Sequence, residues 1–210
     1  DGGADQTVCT SDSVTLSGSG ASTYDWDLVG KSSLQFDGIN DNVNLGNSTS
    51  LDLRNDFTVE ANIKLDGTNS NNIIFAKSDE TYNSATPKGY MFRATLTSLQ
   101  FNYRFPNGSQ WNTISKNFSF NLNQWYHVAV KRTGTTVELF VDGVSLGTGT
   151  FSGNINFPSS VNTYIGRWWN GSGSNSDGYY FAGKMDRLSV WSVALSSTCL
   201  LYTSDAADEV

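Results

Sequence analysis

Few residues in this chain are able to do acid–base chemistry. Glu occurs only at Glu60, Glu80, Glu138 and Glu209, and the single imidazole is His127. Retaining cleavage of a glycosidic bond needs two carboxyl groups roughly 5–5.5 Å apart, one acting as nucleophile and one as acid. Glu60, Glu80 and Glu138 stand in separate segments, and Glu60 and Glu138 alternate with apolar neighbours on ordinary strand patterns, so a solvated or structural role is expected for each. Asp66, Asp142 and Asp177 fall in Gly- and Asn-rich turns, where a short carboxylate bonds the local backbone. No Gly-x-Ser-x-Gly elbow leads into a helix, so a nucleophilic triad has no scaffold and His127 is expected to be structural. With two Cys and one His, a thiolate or multi-His metal centre is excluded. Any metal here must be held by oxygen.

The segment from Trp168 to Tyr180 offers a different chemistry. Two Trp and two Tyr flank a Gly-, Ser- and Asn-rich stretch, and aromatic faces that stack on sugar rings beside amides that bond hydroxyls are suited to carbohydrate. Trp168, Trp169, Asn170, Tyr179 and Tyr180 form the candidate ligand-binding set, with Trp111, Arg104 and Tyr82 able to join across a concave face. The competing reading is core packing, because strand alternation sends either Trp168 or Trp169 inward.

These residues are carried by an all-β pattern. Short runs with period-two alternation are separated by Gly, Asn, Ser and Asp clusters. In Phe57–Leu65 the odd positions Phe57, Val59, Ala61, Ile63 and Leu65 share one face, and Thr58, Glu60, Asn62 and Lys64 take the other, which is expected to be wet. Leu99, Phe101, Tyr103 and Phe105 repeat the pattern, as do Val137, Leu139 and Val141 before the hairpin signal Asp142-Gly143. About a dozen antiparallel strands without a convincing helix predict two stacked sheets, a jelly-roll sandwich. On the last strand Leu188 and Val190 are expected to face the core, and by alternation Asp186 would share that inward face. A buried carboxylate needs a cation or dense hydrogen bonding. The chain carries 13 Lys and Arg against 20 Asp and Glu, and only 16% of its residues are charged. That balance disfavours a nucleic-acid partner, and no run approaches the roughly 18 apolar residues of a membrane span.

Four ordered segments carry a resemblance: Leu34–Val43, Phe57–Ala61, the pair Trp125–Val130 and Leu139–Gly143, and Gly183–Trp191. Together they resemble the laminin G-like group of the concanavalin A-like lectin and glucanase superfamily, the branch that is also similar to pentraxins. The resemblance implies that Trp125 and His127 fix the sheet by packing. It also implies a structural Ca²⁺ joining the first strand to the last, with Asp37 and Asp186 as ligands, carbonyls near Gly183 and waters completing the shell, and Asp41 a weaker third ligand. The alternative is that Asp186 pairs with Arg187, Lys184 or backbone amides without metal. The alternating Glu-x-Asp-x-x-Glu run of the laminarinase branch is absent. No turnover is therefore expected.

The flanks differ from this main domain, residues 31–198. Residues 1–30, with Thr7-Val8-Cys9-Thr10, Ser13–Gly20 and Tyr24-Asp25-Trp26, resemble the opening of immunoglobulin-like repeats in surface proteins of gliding, Bacteroidetes-type bacteria. This part is expected to be a partial repeat or linker. Residues 199–210, beginning Cys199-Leu200-Leu201-Tyr202-Thr203-Ser204, resemble a translated adaptor of transposon-based sequencing libraries. That resemblance implies a read-through tail, a metagenomic source and a different native sequence after about Thr198. The expected function is non-catalytic recognition by a monomeric module of a secreted or cell-surface protein, with carbohydrate as the ligand. The first alternative is an adhesive or spacer domain that binds a cell-surface or matrix protein, and the second is a glycoside hydrolase.

Overall fold

The computed structural model describes residues 33–78, 89–104, 111–151, 153, 161–168 and 179–200. Its strands are β1 (Leu34–Asp37), β2 (Val43–Asn44), β3 (Phe57–Leu65), β4 (Asn72–Ser78), β5 (Gly89–Ala94), β6 (Ser98–Arg104), β7 (Asn112–Asn117), β8 (Trp125–Thr133), β9 (Thr136–Val141), β10 (Val144–Thr150), β11 (Thr163–Ile165) and β12 (Ala182–Trp191). They form two six-stranded antiparallel sheets, the first ordered β1-β12-β3-β8-β9-β10 and the second β2-β11-β4-β5-β6-β7. Helix among the described residues is confined to a 3-10 turn at Thr49–Leu51 and a short stretch over 197–200. This is the expected jelly-roll sandwich.

The sheets close on one aromatic-rich core. Phe57, Val59, Ala61, Ile63 and Leu65 of β3 and Leu99, Phe101 and Tyr103 of β6 all enter it, as their alternation requires. The Asp142-Gly143 turn joins β9 to β10 with φ of 49° and 70° at its two residues, the left-handed pair that matches strand twist in a two-residue hairpin. In β4 a register irregularity between Ile73 and Phe75 lets both Ile74 and Phe75 face the core. Ile73 and Ala76 are thereby turned to the opposite face of the second sheet, where they cluster with Met91.

Two expectations about facing need correction. The second face of β3 is not wet: Thr58, Glu60 and Asn62 are buried, and only Lys64 remains partly accessible. The cause is a cover built by the chain after β12, where Leu195, Cys199 and Leu200 pack on Ala129 and Phe140 with Trp191 beside them. Cys199 and Leu200, which the sequence assigned to the tail, thus contribute to this cover, while 201–210, 1–30 and Cys9 lie outside the described residues.

Asp186 does not share the face of Leu188. The β12 register shifts between Asp186 and Ser189, with Arg187 at φ 49°, so the bulge inserts one residue into the alternation. Met185 and Leu188 pack on the core, and Asp186 stands opposite Asn62 on the outer side, its Oδ1 accepting the Arg187 amide at 2.8 Å.

Gly183 is where β12 needs glycine most. Its φ is +140°, and a Cβ there would lie 2.0 Å from the Lys64 carbonyl oxygen of the paired strand. Gly183→Ala is expected to cost roughly 1–3 kcal/mol or more, read as a lowered midpoint in urea denaturation. A midpoint equal to the parent's would show that β12 can shift without loss.

Candidate functional site

The outer face of the second sheet collects the chemistry that the sequence singled out. β5 alternates Tyr90, Phe92 and Ala94 into the core, so Met91 and Arg93 take the outer face. β6 sends Leu99, Phe101 and Tyr103 inward, so Gln100, Asn102 and Arg104 are displayed with them. Pairing aligns these residues in rows: Ile73, Arg93, Gln100 and Ser115 in one, and Tyr164, Ala76, Met91, Asn102 and Thr113 in the next.

Aromatic rings rim this surface. Trp111, Trp168 and Tyr179 are half-buried against Ile73, Ala76 and Met91. Trp168 meets Trp111 edge to face at 5.9 Å and Tyr179 at 4.9 Å, an arrangement favoured by the ring quadrupoles that leaves part of each ring accessible. Tyr180 is bridged to Arg167, whose guanidinium lies 4.9 Å from the Tyr164 ring centre and 5.9 Å from that of Tyr180. The structure therefore brings Trp111, Trp168, Tyr179 and Arg104 to one face, with Tyr180 at its margin. Trp169, Asn170 and Tyr82 lie outside the described residues.

Sequence reasoning missed the polar centre of this face. Arg93 donates from Nε to Gln100 Oε1 and Asn102 Oδ1, each at 3.0 Å, and from Nη1 to Asn71 Oδ1. Asn102 in turn donates to Thr113 Oγ1 at 2.6 Å. The half-buried guanidinium is held down from its usual pKa by desolvation, with the neighbouring Tyr179 opposing the shift. The signal was present in the alternation of β5 and β6. What the sequence did not show was the register that places Arg93 beside Gln100.

Of the carboxylates considered for acid–base chemistry, Glu60 and Glu138 have structural partners, while Glu80 and Asp177 lie outside the described residues. Glu60 is buried on β3, with Oε1 accepting from Trp191 Nε1 at 2.8 Å and Oε2 lying 3.1 Å from His127 Nε2. Glu138 faces Lys131 at 3.2 Å and accepts from Ser145 Oγ. Strand β8 separates the two Glu, putting their Cα atoms about 12 Å apart by sheet spacing and rise. Both Glu60 oxygens are engaged, so these two carboxylates do not form a hydrolytic pair. The packing role implied for Trp125 and His127 holds for His127, whereas Trp125 is 40% exposed with Lys64 over its ring.

The implied calcium ligands do not converge. Asp37 pairs with Ala182, at the end of the β1–β12 ladder away from Asp186, a separation of about 13 Å along the strand. The Asp37 carboxylate accepts the amides of Ile39 and Asn40, which in that order of effect hold its pKa below the usual value. Asp186 Oδ2 lies 3.9 Å from Arg187 Nε, one of the pairings considered for it from the sequence. One ion cannot be shared by carboxylates placed this way. Only Asp41 stays beside Asp37, accepting its amide at 2.9 Å.

A second depression, lined by Asn55, Asp56, Arg132 and Gly134, is internally satisfied. Arg132 donates to the carbonyls of Gly134 and Arg54, and Asp56 accepts the Gly134 amide.

Comparison with known proteins agrees with this architecture. Residues 37–199 match the Laminin_G_3 family, described as a concanavalin A-like lectin/glucanases superfamily. No curated protein matches the chain by sequence. Among solved structures, the chain is similar to the CBM40 of the Ruminococcus gnavus IT-sialidase bound to α2,3 sialyllactose, with TM-score 0.64, 17% identity, and 82% of this chain and 97% of that chain covered. It is similar to domain 4 of the Geobacillus stearothermophilus GH43 extracellular arabinanase AbnA in complex with arabinotriose, with TM-score 0.60, 15% identity, and 82% and 76% covered. It is also similar to domains LG4-5 of the mouse laminin α1 chain, with TM-score 0.55, 15% identity, and 77% and 42% covered. At these identities the likeness is one of fold, whereas the family match spans most of the sandwich; the chain belongs to the Laminin_G_3 family of the concanavalin A-like lectin/glucanases superfamily.

Proposed function

We propose that this domain is a non-catalytic carbohydrate-recognition module that binds through the outer face of its second sheet. The observation that carries this reading is the half-buried row of Trp111, Trp168 and Tyr179 beside the Arg93, Gln100 and Asn102 network. Rings supply apolar stacking surface, and fixed amides supply oriented hydrogen bonds, the pairing of properties that a polyhydroxylated ring requires. Two of the similar structures hold a sugar, sialyllactose in one and arabinotriose in the other. Such a module belongs on a secreted or cell-surface protein, where glycans are met. No helix among the described residues is long and apolar enough to cross a membrane.

A glycan array probed with the full chain tests the reading. Binding to at least one glycan is expected, and Trp111→Ala and Trp168→Ala are each expected to weaken it about tenfold, the loss that follows when an aromatic contact of about 1.4 kcal/mol is removed. Thermal melts of both variants separate lost contact from lost fold. Silence across all sugars, with retention of a cell-surface or matrix protein in its place, would favour the adhesive alternative. Binding that survives both substitutions would remove this face from the site. A chelator arm tests metal dependence: unchanged affinity is expected, since Asp37 and Asp186, the implied calcium ligands, both belong to the first sheet and the proposed sugar face to the second.

A further inference from the structure

Resting on the carbohydrate reading, we propose a narrower one: the sugar bound on this face carries a carboxylate, and Arg93 is the group that receives it. Among the described residues, Arg93 is a cation held by neutral acceptors. Its hydrogen-bond partners there are the side-chain carbonyls of Asn71, Gln100 and Asn102, and it makes no ion pair with a carboxylate among the described residues. Three amide oxygens fix the guanidinium plane without cancelling its charge. A half-buried charge left in this state is costly, and an incoming anion would offset that cost.

The donor geometry points the same way. Nε and Nη1 are occupied by the amides, while Nη2 has no hydrogen bond to a described residue and is not among the sealed, unpartnered polar atoms. An Arg edge with donors to spare matches a planar carboxylate, and such charge-assisted bonds are about twice as strong as neutral ones. Burial holds the Arg93 pKa below its usual value, and the neighbouring Tyr179 opposes that shift. Arg remains protonated under these conditions.

The whole sheet shares this bias. In a chain with more acidic than basic residues, strands β2, β4, β5, β6, β7 and β11 contain no Asp or Glu, yet carry Lys77, Arg93, Arg104 and Lys116. Lys77 is buried and paired with Asp52, whereas Arg93 and Arg104 belong to the outer face. Arg167 lies at its margin, stacked on Tyr164. An acidic sugar on this face would place its ring against Trp168 and Tyr179 and its carboxylate on Arg93.

The test measures discrimination. Titration calorimetry with the full chain would use two matched pairs, 3′-sialyllactose against lactose and tetragalacturonate against its methyl ester. At least one acid is expected to bind ten- to a hundredfold more tightly than its neutral partner, the range for a hydrogen bond to a charged group. Arg93→Gln is expected to bring that ratio close to one, while Arg93→Lys keeps part of it. Increasing salt should weaken the acid more than the neutral sugar. Equal affinity for acid and neutral partner overturns the proposal, as does preference for a sulfated glycan that lacks a carboxylate. An equal loss on both members of a pair in Arg93→Gln also overturns it, because a purely structural role moves both together. Neutral glycans binding without acid preference sink this inference and leave the carbohydrate reading standing. Absence of binding to every glycan sinks both.

Discussion

Glu60→Ala is expected to destabilise the domain by about 3–5 kcal/mol and to leave glycan affinity at the second sheet unchanged. Glu60 is 3% exposed, and its two oxygens serve Trp191 Nε1 and His127 Nε2, which are themselves drawn from β12 and β8 on either side of β3. Removing the carboxylate takes this acceptor from the buried His127 and the half-buried Trp191, at about 1–3 kcal/mol for a buried donor. The segment carrying Leu195, Cys199 and Leu200 packs over this side of the sheet with Trp191 beside it. Glu60→Gln keeps an acceptor for Trp191 and should lose less. Urea denaturation of the two variants beside the parent would show this order. A Glu60→Ala chain as stable as the parent would mean that the buried network is not holding the first sheet. Loss of a hydrolytic activity with stability intact would instead restore the glycosidase alternative.

Phe101→Ala is expected to be of similar size, about 3–5 kcal/mol, and to lower the melting temperature by roughly 10 °C. Phe101 is fully buried, and its ring centre lies 5.6 Å from Phe57, 6.2 Å from Tyr90, 6.1 Å from Tyr103 and 6.4 Å from Phe151. Phe57 belongs to the first sheet and Tyr90 and Tyr103 to the second, so this ring joins the two layers. An Ala here leaves a cavity among rigid rings that cannot collapse to fill it. Differential scanning calorimetry reads the effect directly. A shift of only a degree or two would show that the sheets close by other means.

The two substitutions also bear on function. β5 and β6 carry the core rings on one side and the Arg93 network on the other, so packing around Phe101 keeps Gln100 and Asn102 in the register that holds the guanidinium. A strand displaced by repacking would widen 3.0 Å bonds that act only at short range. Glu60, on the opposite sheet, has no such connection. Comparing how each variant affects binding separates support of the site from support of the fold.

Residue alternation determined by itself which side of each uninterrupted strand faces the inter-sheet core, because side chains on a pleated backbone point to opposite faces at every step. Phe57 to Leu65, Leu99 to Tyr103 and the Asp142-Gly143 hairpin followed directly, and the ordered segments from Leu34 to Trp191 were sufficient for the family. Alternation failed where the backbone inserted a residue. The bulge at Arg187 moved Asp186 off the core face, and the one after Ile73 turned Ile74 and Phe75 inward together. Such insertions are set by how neighbouring strands pack, which is not a local property. The same holds for Thr58, Glu60 and Asn62, whose face was buried by a segment more than a hundred residues away in the chain. Arg93 shows the limit most directly. Its side of β5 was readable, yet the three amides that orient it come from β6 and from the residue before β4, and only pairing between strands distant in sequence assembled them.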